Sequence, residues 1–112
     1  MEATPGRTFY NEQLAYLFAK DIENLINRHY NEDAVLIGFD FVVRGRDALK
    51  EYFRAYLEKL GSLEVKSTNK FHETTDTIFL EASVVSHLGP AVVYDAMVLR
   101  NGKISYHFTG IK

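Results

Sequence analysis

The chain contains no cysteine and no tryptophan, and only two of its 112 residues are proline. Without cysteine there is no disulfide scaffold, no thiolate zinc or iron–sulfur site and no cysteine nucleophile. An excess of one charge is also missing. Thirteen Lys and Arg against fifteen Asp and Glu give a net charge of −2, and the two signs are interspersed. No basic stripe is visible, which argues against nucleic acid as a partner. No run approaches the roughly eighteen apolar residues a membrane span needs, and Met1 to Thr8 holds no apolar signal-like stretch. A cytoplasmic location is therefore expected, with no membrane partner. The four histidines are scattered, without His-x-x-x-His or Glu-x-x-His spacing, so neither a metal nor a cofactor is expected. Repeats and Ser/Gly linkers are absent, which predicts a single domain over residues 1–112.

What the chain does have is aromatic side chains: seven Tyr and eight Phe, 13% of all residues, within a hydrophobic fraction of 46%. A chain of this length buries roughly two-thirds of its unfolded surface, enough for a core without staples. Pro5-Gly6 reads as an N-terminal turn. Leu14, Leu17, Phe18, Ile22, Leu25, Ile26, His29 and Tyr30 recur at helical spacing, and Asp21 is placed to cap a second helix where a first one ends. Two β-rich runs, Ala34 to Phe39 and Phe41 to Val43, come next. Gly45 and Asp47 then open a helix carrying Leu49, Tyr52, Phe53, Tyr56, Leu57 and Leu60, which Gly61 stops.

Beyond Gly61 the period becomes two. Leu63 to Lys66, Thr77 to Leu88, Ala91 to Arg100 and Lys103 to Ile111 alternate as strands, with Gly89-Pro90 and Asn101-Gly102 as hairpin turns. Helices followed by an antiparallel meander predict an α+β fold in which helices cover the concave face of a curved sheet and enclose an apolar pocket.

Three stretches then resemble a known family. Asp21-Ile22-Glu23, Tyr30 through Val35, and Arg44-Gly45-Arg46-Asp47 through Tyr52-Phe53 match in order, as does Asp95 through Ile104 near the end. The pattern resembles the nuclear transport factor 2-like superfamily, and within it the SnoaL-like polyketide cyclases and ketosteroid isomerase. The resemblance implies a cone-like α+β barrel with a pocket at its open end. Catalytic members place carboxylates, and sometimes a histidine, inside that pocket. Function varies widely on this fold, from isomerases and cyclases to binding and dimerisation modules.

Asp95 alternates with Val93, Met97 and Leu99, so its side chain falls on the apolar face of its strand. If Gly89-Pro90 is a two-residue loop, Asp95 pairs with Val84 and shares a face with Ala82 and Ser86. A carboxylate there can act as a general base, or hold a proton and donate it to a developing oxyanion. The resemblance places Asp95 near the strand position where ketosteroid isomerase uses the second role.

His107 is the expected partner, and the last hairpin decides its direction. A two-residue loop at Asn101-Gly102 sets Asp95 opposite Phe108 and turns His107 away. A three-residue loop with Gly102 in a bulge sets Asp95 opposite His107, the arrangement that SnoaL-like patterns favour. An Asp–His pair would fix the imidazole tautomer and form a proton-transfer unit. Tyr16, Tyr30, Phe39, Phe53 and Tyr56 are candidates to line the pocket around a small apolar ligand, with Asp40 at the mouth. Tyr52 belongs to the same aromatic set. In the isomerase a tyrosine on the first helix serves the oxyanion, but Leu14 falls at that position, two residues from Tyr16. The isomerase base would fall on Gly38, two residues before Asp40. His29 and His72 read as structural or surface residues. The opposite sheet face, with Phe79, Tyr94, Ala96 and Val98, is apolar enough to suggest a homodimer.

Overall fold

Thr4 and Pro5 begin the first helix, where a loose turn was expected. In the computed structural model, which describes residues 4–112, Thr4 is the N-cap and its hydroxyl accepts from the Arg7 amide at 3.2 Å. Proline is well suited to the first helical turn, where its missing N–H is not needed. Glu73, at the far end of a strand, accepts from the Thr4 hydroxyl and from the Gly6 amide, tying this helix start to the sheet.

Helix α1 (Pro5–Ala19) ends at Lys20, whose left-handed backbone (φ 57°) reverses the chain. Asp21 then caps α2 (Ile22–His29), as its position in the sequence predicts, accepting from the Asn24 amide at 3.3 Å. Strands β1 (Tyr30–Ile37) and β2 (Val42–Arg44) lead into α3 (Arg46–Leu60), and Gly61 stops that helix at φ 71°, a conformation that favours glycine. The meander follows as β3 (Leu63–Glu73), β4 (Thr77–Ser86), β5 (Gly89–Arg100) and β6 (Lys103–Ile111).

The six strands form one sheet in the order β2-β1-β6-β5-β4-β3. All neighbours are antiparallel except β1 and β6, which run parallel through Val35–Tyr106 and Leu36–His107. The sheet is curved and unclosed, with helices on its inner face. Leu25, Ile26, Leu49 and Leu57 from α2 and α3 pack against Leu36, Ile78, Leu80, Met97 and Ile104 of the strands. This is the expected α+β architecture.

Two hairpins differ from expectation. The β4–β5 loop is His87-Leu88 and not Gly89-Pro90, because Ser86 Oγ accepts from the Leu88 amide and Gly89 (φ 110°) starts the next strand. Asp95 therefore lies opposite Leu80 and not Val84. That shift is an even number of residues, so Asp95 keeps its predicted face.

The β5–β6 turn is the two-residue form, with Asn101 and Gly102 both at positive φ and Arg100 paired to Lys103. The expected three-residue loop does not form. Leu99 pairs with Ile104 and Val98 with Tyr106, leaving Ser105 as an extra residue in β6. This bulge reverses the facing of everything after it. Asn31 holds it in place, its Nδ2 donating to the Arg100 and Lys103 carbonyls and to Ser105 Oγ at 3.1–3.2 Å.

Candidate functional site

A cavity of about 470 Å³ lies between α1, α3 and the inner sheet face. On α1 its lining residues are Tyr10, Gln13, Leu14 and Leu17, the stripe that a 3.6-residue period places on one side. Tyr16 sits off that stripe. Its ring packs edge-on against His29 of α2 and does not line the cavity, a correction to its predicted role. The α1 phenol that does face the cavity is Tyr10, whose hydroxyl hydrogen-bonds Thr68 Oγ1 at 3.0 Å.

Helix α3 contributes Tyr52, Phe53 and Tyr56, the aromatic set its helical spacing put on one side. The Tyr52 ring stacks on both Phe41 (centroids 5.2 Å apart) and Tyr56 (6.0 Å), forming a flat aromatic wall. Phe39 and Asp40 stand at the mouth on the β1–β2 connection, with Phe39 86% exposed. A Cβ at Gly38 would run into the Phe41 ring, so that ring fills the space a longer side chain would need.

Asp95 and His107 meet at the inner end. Asp95 is opposite Thr109 and His107 opposite Met97, so they are diagonal neighbours on one face, not a direct cross-strand pair. His107 Nε2 is 2.7 Å from Asp95 Oδ1, and His107 Nδ1 is 2.8 Å from the Tyr30 hydroxyl. Tyr30 does not line the cavity as expected. It lies fully buried behind His107, stacked on the imidazole at 6.0 Å. Gln13 Nε2 completes the row, donating to the Tyr30 oxygen at 3.2 Å.

Hydrogen-bond logic assigns the protons. Burial raises Tyr30 well above the ordinary phenol range, the Asp95 charge adds to this, and the Gln13 hydrogen bond only partly opposes it. Tyr30 therefore keeps its proton and donates it to Nδ1. The neutral imidazole then carries its hydrogen on Nε2 and donates to Asp95. Burial likewise raises Tyr10, Tyr52 and Tyr56. A neighbouring negative charge adds to it in each case: Asp95 for Tyr10 and Tyr56, Asp40 for Tyr52. All are hydroxyl donors at neutral pH.

Sequence reasoning missed Gln13 and Tyr10 as parts of one site. Tyr10 and Gln13 were legible in principle, three residues apart on the stripe continued by Leu14 and Leu17. Among the described residues no lysine or arginine lines the cavity, and no group of three or more His, Asp and Glu could hold a metal ion. No helix there is long and apolar enough to cross a membrane.

No protein-family model and no curated protein sequence matches this chain. Solved structures do. A protein from Agrobacterium tumefaciens, provisionally named an isomerase of the SnoaL-like family, superposes with a TM-score of 0.81 at 15% identity, covering 96% of this chain and 97% of that one. A protein from Sinorhizobium meliloti, provisionally named a polyketide cyclase, gives 0.80 at 14% identity over 92% and 94%. A nuclear transport factor 2-like protein of unknown function from Burkholderia xenovorans gives 0.80 at 19% identity over 96% and 83%. The fold is that of the nuclear transport factor 2-like proteins.

Proposed function

We propose that residues 1–112 form one SnoaL-like domain that binds a neutral, apolar, carbonyl- or ring-containing small molecule and moves a proton on it. The observation that carries this reading is the 2.7 Å Asp95–His107 contact at the inner end of an aromatic-walled cavity. Asp95 is 23% exposed, and its Oδ2 has no hydrogen bond to the described residues. That oxygen is the base. It takes a proton from the carbon next to a carbonyl and returns it at another position, while His107 steadies the carboxylate. Tyr10 or Tyr56 donates to the carbonyl oxygen as charge develops there. The step is an isomerisation or ring closure with no net redox change. A cytoplasmic home and a homodimer through the outer sheet face belong to the same reading.

Among the described residues two aspartates and no basic residue other than His107 line the cavity, which disfavours an anionic ligand. In a binding assay 2-acetylnaphthalene should bind at least about tenfold more tightly than 2-naphthoate, its near-isosteric anion. The same ketone tests the chemistry. In D2O its acetyl hydrogens should exchange faster with the protein than without it. Asp95→Asn should lower that acceleration by about 100-fold, with binding changed only a few-fold.

One observation favours a second reading, a non-catalytic ligand-binding or dimerisation module. Where the isomerases carry their base, this chain has Gly38 packed beneath the Phe41 ring. Binding of the ketone without accelerated exchange would establish that reading instead.

A further inference from the structure

Besides Asp95 Oδ2, the row Gln13–Tyr30–His107–Asp95 contains one further side-chain oxygen that its hydrogen bonds do not use. Gln13 is 6% exposed, its Nε2 donates to Tyr30, and its Oε1 is buried without a partner among the described residues. A buried carbonyl oxygen left unpaired destabilises the fold relative to a satisfied one, so its presence in this row calls for a reason. The other groups facing His107 are Asp95 on β5 and Tyr30 on β1. Tyr10 on α1 and Tyr56 on α3 feel the Asp95 charge across the cavity, and Asp40 stands at its mouth.

We infer that Gln13 is a positioning residue whose carboxamide inverts when His107 gains a proton. In the neutral state every donor in the row points toward Asp95: Gln13 N–H to the Tyr30 oxygen, Tyr30 O–H to Nδ1, Nε2–H to the carboxylate. When Nδ1 takes a proton it becomes a donor and must point at the Tyr30 oxygen. The Tyr30 hydrogen then has to turn away, toward Gln13. A half-turn of the amide brings Oε1 to meet it, so the oxygen unpaired in one state is the acceptor in the other. An apolar side chain at position 13 would leave the reversed Tyr30 hydroxyl unpaired in the imidazolium state alone.

This inference rests on the reading of Asp95 and His107 as a proton-transfer unit. Its test uses the ligand-free protein, so failure of turnover and failure of the relay are separate results. Nitrogen-15 NMR of histidine-labelled protein should show the neutral His107 with its hydrogen on Nε2; the Nδ1–H tautomer would overturn the inference without any variant. In a pH titration followed by the same signals, Gln13→Met should lower the His107 midpoint by roughly half a pH unit or more. Gln13→Glu, which offers only acceptors, should raise it. In a Tyr30→Phe background the link is cut, and Gln13→Met should shift nothing further. An unchanged midpoint in Gln13→Met, or the same shift persisting without the Tyr30 hydroxyl, rules the relay out.

Discussion

His29 and His107 are both buried, yet their neighbours give them opposite capacities. His107 has a partner on each ring nitrogen. His29 lies between the Phe9 ring, stacked at 4.0 Å, and the edge of Tyr16, with its Nδ1 unpartnered among the described residues. Burial lowers the proton affinity of His29, and the Glu12 carboxylate offsets this only in part. The unfolded chain therefore binds a proton that the folded chain refuses once the pH drops below about 6.5. Stability contributed by a neutral His29 is full above that pH, falls as the pH drops toward the folded value, and is level below it. His29→Phe should flatten this part of the acid limb. Urea midpoints at pH 7.5 and pH 5.5 check it: the drop should be smaller in the variant, and equal drops would remove His29 as the cause. At this scale the sequence was a partial guide. It left His29 as structural or surface and marked Asp95 as inward-facing, the latter because strand parity is a local property. It misplaced Tyr16, whose helix face depends on which side of α1 the sheet approaches.

Strand elements show why one predicted pairing failed harmlessly and another was rescued. Misreading the β4–β5 loop moved the register by an even number of residues, and a period of two does not register such a move. The β5–β6 hairpin differs in kind. Its two-residue turn alone would have sent His107 outward, and only the extra residue Ser105 returns it to the cavity. Nothing near Ser105 announces a bulge. Its support comes from Asn31, 74 positions away, whose Nδ2 bridges the Arg100 and Lys103 carbonyls and Ser105 Oγ. A single-residue insertion in a ladder held by a distant side chain has no periodic mark in the sequence. Asn31→Ala should cost about 1–2 kcal/mol in urea unfolding through those lost hydrogen bonds. It should also loosen the bulge enough to weaken the Nε2–H protection of His107 seen by NMR. Full stability together with an unchanged His107 signal would mean that the turn at Asn101-Gly102 sets the bulge by itself.

At the scale of the whole molecule, the helices cover only the inner face of the sheet. The outer face carries the row Phe79–Ala96–Phe108 across β4, β5 and β6, with Val98 and Tyr106 in the next row. Phe79 is 57% exposed, Tyr106 49% and Phe108 42%. Contiguous apolar area of this kind on a small chain implies an interface. The middle of a sheet suits a two-fold contact, because each copy offers the same patch to the other. The chain in solution should therefore run as a pair, burying on the order of 1,200–2,000 Å² in total. Phe79→Glu combined with Phe108→Glu puts two carboxylates where desolvation would be needed, close to the existing Glu81 on the same face. Light scattering after gel filtration at about 100 μM should give twice the chain mass for the parent and the single mass for the double variant. Far-ultraviolet circular dichroism should be the same for both, since these side chains lie outside the core. A parent protein that elutes at the single mass would overturn the pair. The cavity on the opposite side of the sheet, with its Asp95–His107 pair, would stand unaffected by that result.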